Sequence, residues 1–225
     1  MINEPEVAPD PDYAAREFYT FRIELQDTID TALNRLSILE ENAAIWVKVD
    51  LALTREPDDP EFGNQQITAK EIEALNEEWS AQTAFFSALE DFLARWARVS
   101  NILYPASREP GTKQRGKRLR TRLGLPDSHL KHILGDRSLR DAWAHFDERL
   151  DACLANDKLA HPQWFDQSRS ITPYLKEKVP RLLVLDTLEL YYHDRAGNVR
   201  HNSLREMKEG LTTLRKSLWQ AATHE

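Results

Sequence analysis

Arg140, Asp141 and His145 stand in the run Ser138-Leu139-Arg140-Asp141-Ala142-Trp143-Ala144-His145-Phe146-Asp147-Glu148-Arg149-Leu150, and their types and spacing suit chemistry on a phosphodiester. A guanidinium fork can grip a phosphate and the charge that develops on it, while an imidazole, which titrates near neutral pH, can move the proton of a ribose hydroxyl. Asp141 precedes His145 by four residues. On a helix that is close enough to accept a proton from one imidazole nitrogen and set the tautomer, leaving the other nitrogen for substrate. At about 100° per residue, Leu139, Trp143, Phe146, Leu150, Cys153 and Leu154 gather on one side, the side expected to bury. Arg140 and His145 lie off that stripe, about 140° apart. A blander alternative stays open: a surface ladder pairing Arg140 with Glu148 or Asp136, and His145 with Asp141 and Arg149.

These residues need a scaffold, and the apolar spacing predicts a mainly α fold. From residue 11 to about 55, Phe18, Phe21, Leu25, Ile29, Ala32, Leu36, Leu39, Ala43 and Trp46 recur at steps of three and four, the period of one long helix. Pro57, Pro60 and Gly63 interrupt it, and Thr68 with Glu71 forms a capping-box signature for a second helix that runs to about Leu103. Two long amphipathic helices joined this way pack as an antiparallel hairpin. Ser107 to Leu125 reads as an exposed basic loop, followed by a short helix from about Pro126 to Leu134. Asp136 is placed to cap the motif helix, expected to reach about Asn156. Together these make a four-helix bundle, residues 1–156. Residues 157–225 form an appendage on the same domain: an irregular stretch to Pro180, a small β-hairpin over Leu182 to Ser203 with a Gly-containing turn, and a last helix from Leu204 to about Ala221.

The formal net charge is −7, which repels nucleic acid at long range. Its distribution is uneven. Between Arg108 and Arg140 the chain carries ten Lys or Arg against three Asp or Glu. Lys113, Arg115, Lys117, Arg118, Arg120 and Arg122 crowd just ahead of the motif and are candidate RNA contacts, or simply solvated charge. His129 and His132 share a helical face but have no third ligand at a recognisable spacing, so neither a metal nor any other cofactor is expected. His193 and His201 flank the hairpin turn as exposed residues, and the six tryptophans are read as core anchors. A single cysteine, Cys153, excludes an internal disulfide and is expected as a buried thiol in a reducing compartment. With no apolar run long enough to span a membrane and an acidic, proline-bearing start, the chain is expected in the cytoplasm.

Arg140-Asp141-x-x-x-His145 resembles the signature of the HEPN superfamily, an Arg, a polar residue and a His on a late helix of an all-α bundle. The following Phe146-Asp147-Glu148-Arg149-Leu150 is similar to uncharacterised bacterial members. The resemblance covers roughly residues 11–156 and is sharp over about a dozen of them. It implies a HEPN-like four-helix bundle and a metal-independent endoribonuclease in a toxin, defence or stress setting. It also implies a homodimer whose two motifs face one another. In that frame His145 is the general base for the 2′-hydroxyl, Arg140 the phosphate clamp and Asp141 the orienting carboxylate, with RNA as substrate and an antitoxin or regulatory protein as partner. The position where family toxins often carry a tyrosine modified by the antitoxin is Asp147 here, a departure that counts against that route of neutralisation. Asp147 and Glu148 also bring negative charge towards the phosphate. The alternative is a HEPN-like dimeric module that binds RNA or protein without catalysis.

Overall fold

The computed structural model describes residues 10–53, 69–106, 109–125, 134–136, 138–145, 148, 150–151, 154, 164–166 and 172–223. Two long helices, α1 (Pro11–Leu53) and α2 (Ala69–Leu103), carry most of the core. Phe18, Leu25, Ile29, Leu36 and Leu39 of α1 are buried against Phe85, Leu89, Phe92, Trp96 and Val99 of α2. The ion pairs Glu24–Arg98 and Arg35–Asp91 (2.6 Å) run in opposite chain directions, so the helices form the expected antiparallel hairpin. The Thr68 cap lies outside the described residues.

The basic segment expected as a loop is a helix, α3 (Pro110–Arg122). Proline at the first helical position fixes φ where no N–H is needed, and the Lys, Arg and Gln that follow are good helix formers. The helix closes with Leu125 N–H bonded to Arg120 O (2.9 Å) and Gly124 N–H to Thr121 O (3.0 Å). Gly124 takes φ +64°, the left-handed residue this kind of C-terminal stop requires. On its inner side Gly116, Leu119 and Leu123 are buried. A Cβ on Gly116 would lie 2.6 Å from Pro105 Cδ and 2.8 Å from Leu103 O, so glycine is what lets α3 touch the end of α2.

The motif helix is shorter in its described part than the expected span. Asp136 Oδ1 accepts the N–H of Ser138 (2.8 Å), the N-terminal cap expected of it, and the helix, α4, covers Ser138–Ala144. Leu139 and Ala142 are buried, but Leu154 is 55% exposed, so the apolar stripe does not stay inside along its length. The expected helix before it, together with His129, His132, Phe146 and Cys153, lies outside the described residues apart from Leu134, whose carbonyl accepts a bond from the buried Ser100 hydroxyl.

Beyond residue 157 the hairpin proves to be part of a four-stranded sheet in the order β1-β2-β3-β4. Strand β1 (Trp164–Asp166) falls in the stretch read as irregular, as does the single helical turn α5 (Thr172–Leu175). Strand β1 pairs in parallel with β2 (Arg181–Val184), which pairs antiparallel with β3 (Glu189–His193), and β3 with β4 (Val199–Ser203). Helix α6 (Leu204–Thr223) lays Leu204, Met207, Leu211, Leu214 and Leu218 into the same core as α1 and α2, so both halves of the chain share it. Ion pairs Lys208–Glu40 (2.7 Å) and Arg215–Asp30 (3.4 Å) set α6 antiparallel to α1.

His193 and Trp219 also depart from their expected exposure. His193 is buried, and its Nε2–H donates to Lys176 O at 2.9 Å. Trp219 is 69% exposed rather than a core anchor, at the edge of a shallow hollow with Asp30 and Arg215. Trp96 does anchor the core. Among the described residues no helix is long and apolar enough to cross a membrane.

Candidate functional site

Helix α4 and the β3–β4 turn face each other across a cleft of about 430 Å³, lined by Ser138, Asp141, His145, Glu148, Asp194, Arg195 and Ala196. That volume lies within the range of about 300–1,000 Å³ usual for small-molecule sites. The first four residues recur at steps of three, four and three, with Ser138 and Asp141 on α4 and His145 in the turn that follows it. That spacing was legible in the sequence. The turn across from it was not.

Two ties hold α4 against the sheet. At its N-terminal end the Ser138 hydroxyl and the Tyr192 phenol are 2.7 Å apart, and Tyr192 O–H donates to Asn202 Oδ1 at 2.8 Å. The amide oxygen can only accept, so Ser138 is the donor to Tyr192. Tyr192 is fully buried, and desolvation pushes its phenol up to about 12 against the lowering bond from Ser138. At the C-terminal end the buried Arg181 guanidinium lies 3.8 Å over the Trp143 ring and donates to Trp143 O at 3.3 Å. Burial pulls Arg181 down to about 10, partly offset by Glu90, which leaves it charged at neutral pH.

The turn is built around Asp194. Desolvation acts to raise its pKa but is outweighed by bonds from the backbone and side chain of Asn198, from Arg200 and from Ala196 N–H, which hold it at about 2. These bonds span 2.9–3.3 Å. With Gly197 at φ +80° and its N–H on Asp194 O (3.0 Å), the turn is stiff.

His145 is the turn residue just after α4, its backbone N–H bonded to Asp141 O at 3.1 Å. A carboxylate the sequence reading did not assign to His145 lies beside its ring, Glu148, with Oε1 at 3.3 Å from Nδ1. Both side chains are more than half exposed, so the pair contributes little stability, about 0–1 kcal/mol. Its use is orientation. A proton on Nδ1 directed at Glu148 leaves Nε2 as the lone-pair nitrogen of a residue that lines the cleft. Arg140 belongs to α4, and its side chain lies outside the described residues.

Four of the six cations proposed as RNA contacts make contacts within the protein. Arg118 grips Glu17 with three bonds of 2.8–3.2 Å. Arg115 stacks over Phe21 (4.5 Å), Arg122 over Phe18 (4.2 Å) and Arg120 over Tyr104 (4.5 Å), the last also donating to Leu103 O. Lys113 and Lys117 are exposed. Among the described residues no group of His, Cys, Asp and Glu could hold a metal ion.

Comparison with protein-family models finds no match, and neither curated proteins nor solved structures match the chain.

Proposed function

We propose that this chain is a HEPN-like, metal-independent endoribonuclease working in the cleft between α4 and the β3–β4 turn. The observation that carries the reading is His145 lining that cleft with a carboxylate, Glu148, at its Nδ1. Nε2 of His145 takes the proton of a ribose 2′-hydroxyl, and the freed oxygen attacks the adjacent phosphorus. The bond to the 5′-oxygen breaks and that oxygen takes up a proton from water, leaving a 2′,3′-cyclic phosphate and a 5′-hydroxyl end. Glu148 takes the orienting role first assigned to Asp141, and Arg140 clamps the phosphate. The bundle pairs as a homodimer that brings two motifs together, within a toxin, defence or stress system with an antitoxin or regulatory partner. On α3, Lys113 and Lys117 are the cations best placed to meet RNA.

Cleavage of a mixed RNA pool in EDTA tests the reading. The expected result is 2′,3′-cyclic ends from the wild type, with His145→Ala and Arg140→Ala lowering the rate by roughly 10²- to 10⁴-fold. Unchanged cleavage in both variants sinks it. A second reading, a dimeric HEPN-like module that binds RNA or protein without cutting, is favoured by the three carboxylates lining the cleft, Asp141, Glu148 and Asp194. RNA bound by the wild type and never cut decides for it.

A further inference from the structure

The α4 face of the cleft offers Ser138, Asp141, His145 and Glu148, which supplies a base but no described cation to meet an anionic substrate. The opposite wall supplies one. We propose that Arg195, presented by the β3–β4 turn, is an anion-binding residue of the cleft, in addition to the clamp read for Arg140, and grips a phosphodiester across from His145. This rests on the nuclease reading of His145 but is carried by separate geometry.

Many cations among the described residues are already committed. Arg118 holds Glu17, Arg200 holds Asp194, Lys208 holds Glu40 and Arg181 stacks on Trp143. Arg195 is exposed, lines the cleft, and makes no hydrogen bond or ion pair with another described residue. Its neighbour Asp194 does not quench it, because that carboxylate is occupied by Arg200, by Asn198 and by the Ala196 N–H. The same bonds stiffen the backbone that carries Arg195, which lowers the entropy cost of ordering the loop when an anion binds. A guanidinium fork binds two oxygens of one phosphate and suits a phosphodiester better than an ammonium does.

The test follows the His145 imidazole resonance of the full chain by NMR during titration with inorganic phosphate. Phosphate should perturb it in the wild type. Arg195→Gln should weaken that binding roughly 10- to 100-fold, Arg195→Lys should fall between, and Lys216→Gln on α6 should match the wild type. An unchanged thermal midpoint in Arg195→Gln separates loss of a ligand contact from loss of structure. Phosphate binding that survives Arg195→Gln overturns the proposal, as does a wild-type His145 that responds to spermidine and not to phosphate. The two readings fail separately. Arg195-dependent phosphate binding without any RNA cleavage upholds this site and sinks the nuclease. His145-dependent cleavage undiminished in Arg195→Gln keeps the nuclease and sinks Arg195.

Discussion

Helix α3 and the cleft beside α4 are both dense in charge, and they use it in opposite ways. On α3 four arginines are engaged within the protein: Arg118 with Glu17, and Arg115, Arg120 and the exposed Arg122 over the rings of Phe21, Tyr104 and Phe18. There a guanidinium acts as a flat packing surface that keeps its charge. In the cleft His145 and Glu148 stay more than half exposed, and Arg195 stays exposed on a turn stiffened by its neighbours. The same residue types thus serve packing on α3 and stay open to solvent beside α4.

The largest expected effect falls on α3. Gly116→Val drives a branched side chain into Pro105 and the Leu103 carbonyl, where even a bare Cβ meets atoms at 2.6 and 2.8 Å. It should cost about 3 kcal/mol by thermal or urea unfolding, with phosphate affinity of the residual folded protein unchanged. A neutral outcome would mean that α3 is not docked as described. Next comes Arg118→Ala, which leaves Glu17, only 9% exposed, without its fork. The expected loss is about 2 kcal/mol in unfolding free energy, with RNA affinity altered less than by Lys113→Gln with Lys117→Gln. The reverse ordering would return α3 to the role of an RNA surface.

The same contrast explains what the sequence could and could not reveal. Helices α1, α2 and α6 were legible because each buries an unbroken apolar stripe, from Phe18 to Leu39 in α1 and Leu204 to Leu218 in α6. Helix α3 was not, because its inner face is Gly116, Leu119 and the stems of arginines, which no apolar period detects. Strand β1 has three residues, and its partner Leu182–Val184 lies well along the chain, so no local pattern announces it. Half of the cleft was readable as a face of α4. The other half arrives through Ser138–Tyr192 and Arg181–Trp143, contacts between residues far apart in sequence. Asp141 was assigned to His145 from the i, i+4 spacing of a regular helix, whereas His145 sits in the turn that follows α4, with Glu148 Oε1 3.3 Å from its Nδ1.

Tyr192→Phe tests whether those ties matter to the site. It removes the hydroxyl that joins Ser138 to Asn202 and should cost about 1 kcal/mol. It should also lower RNA cleavage, although Tyr192 is not one of the residues lining the cleft. The pH dependence gives a separate sign. The folded phenol is held at about 12, above its ordinary value of 10.0, so the fold favours the protonated form. That contribution is complete below pH 10 and is lost as pH rises towards 12. In Tyr192→Phe this alkaline limb should vanish from the stability profile. A phenylalanine variant with wild-type cleavage would mean that α4 keeps its place without the sheet.

The smallest effect, and the one that separates the two regions most cleanly, belongs to Asp194. Its folded pKa of about 2 lies below the ordinary 3.8, so the stability it contributes is present above pH 3.8 and is lost as pH falls towards 2. In an open turn that amounts to about 1 kcal/mol or less. Asp194→Asn should flatten this acid limb and barely move the thermal midpoint at pH 7. Yet it removes the carboxylate that holds Ala196, Asn198 and Arg200, so the backbone carrying Arg195 loosens and phosphate affinity at His145 should drop several-fold. The corresponding change on α3, Glu17→Gln, should do the opposite, lowering stability through Arg118 and leaving phosphate affinity alone. If Asp194→Asn and Glu17→Gln behave alike in both measurements, the distinction between charge that packs and charge that binds fails for this molecule.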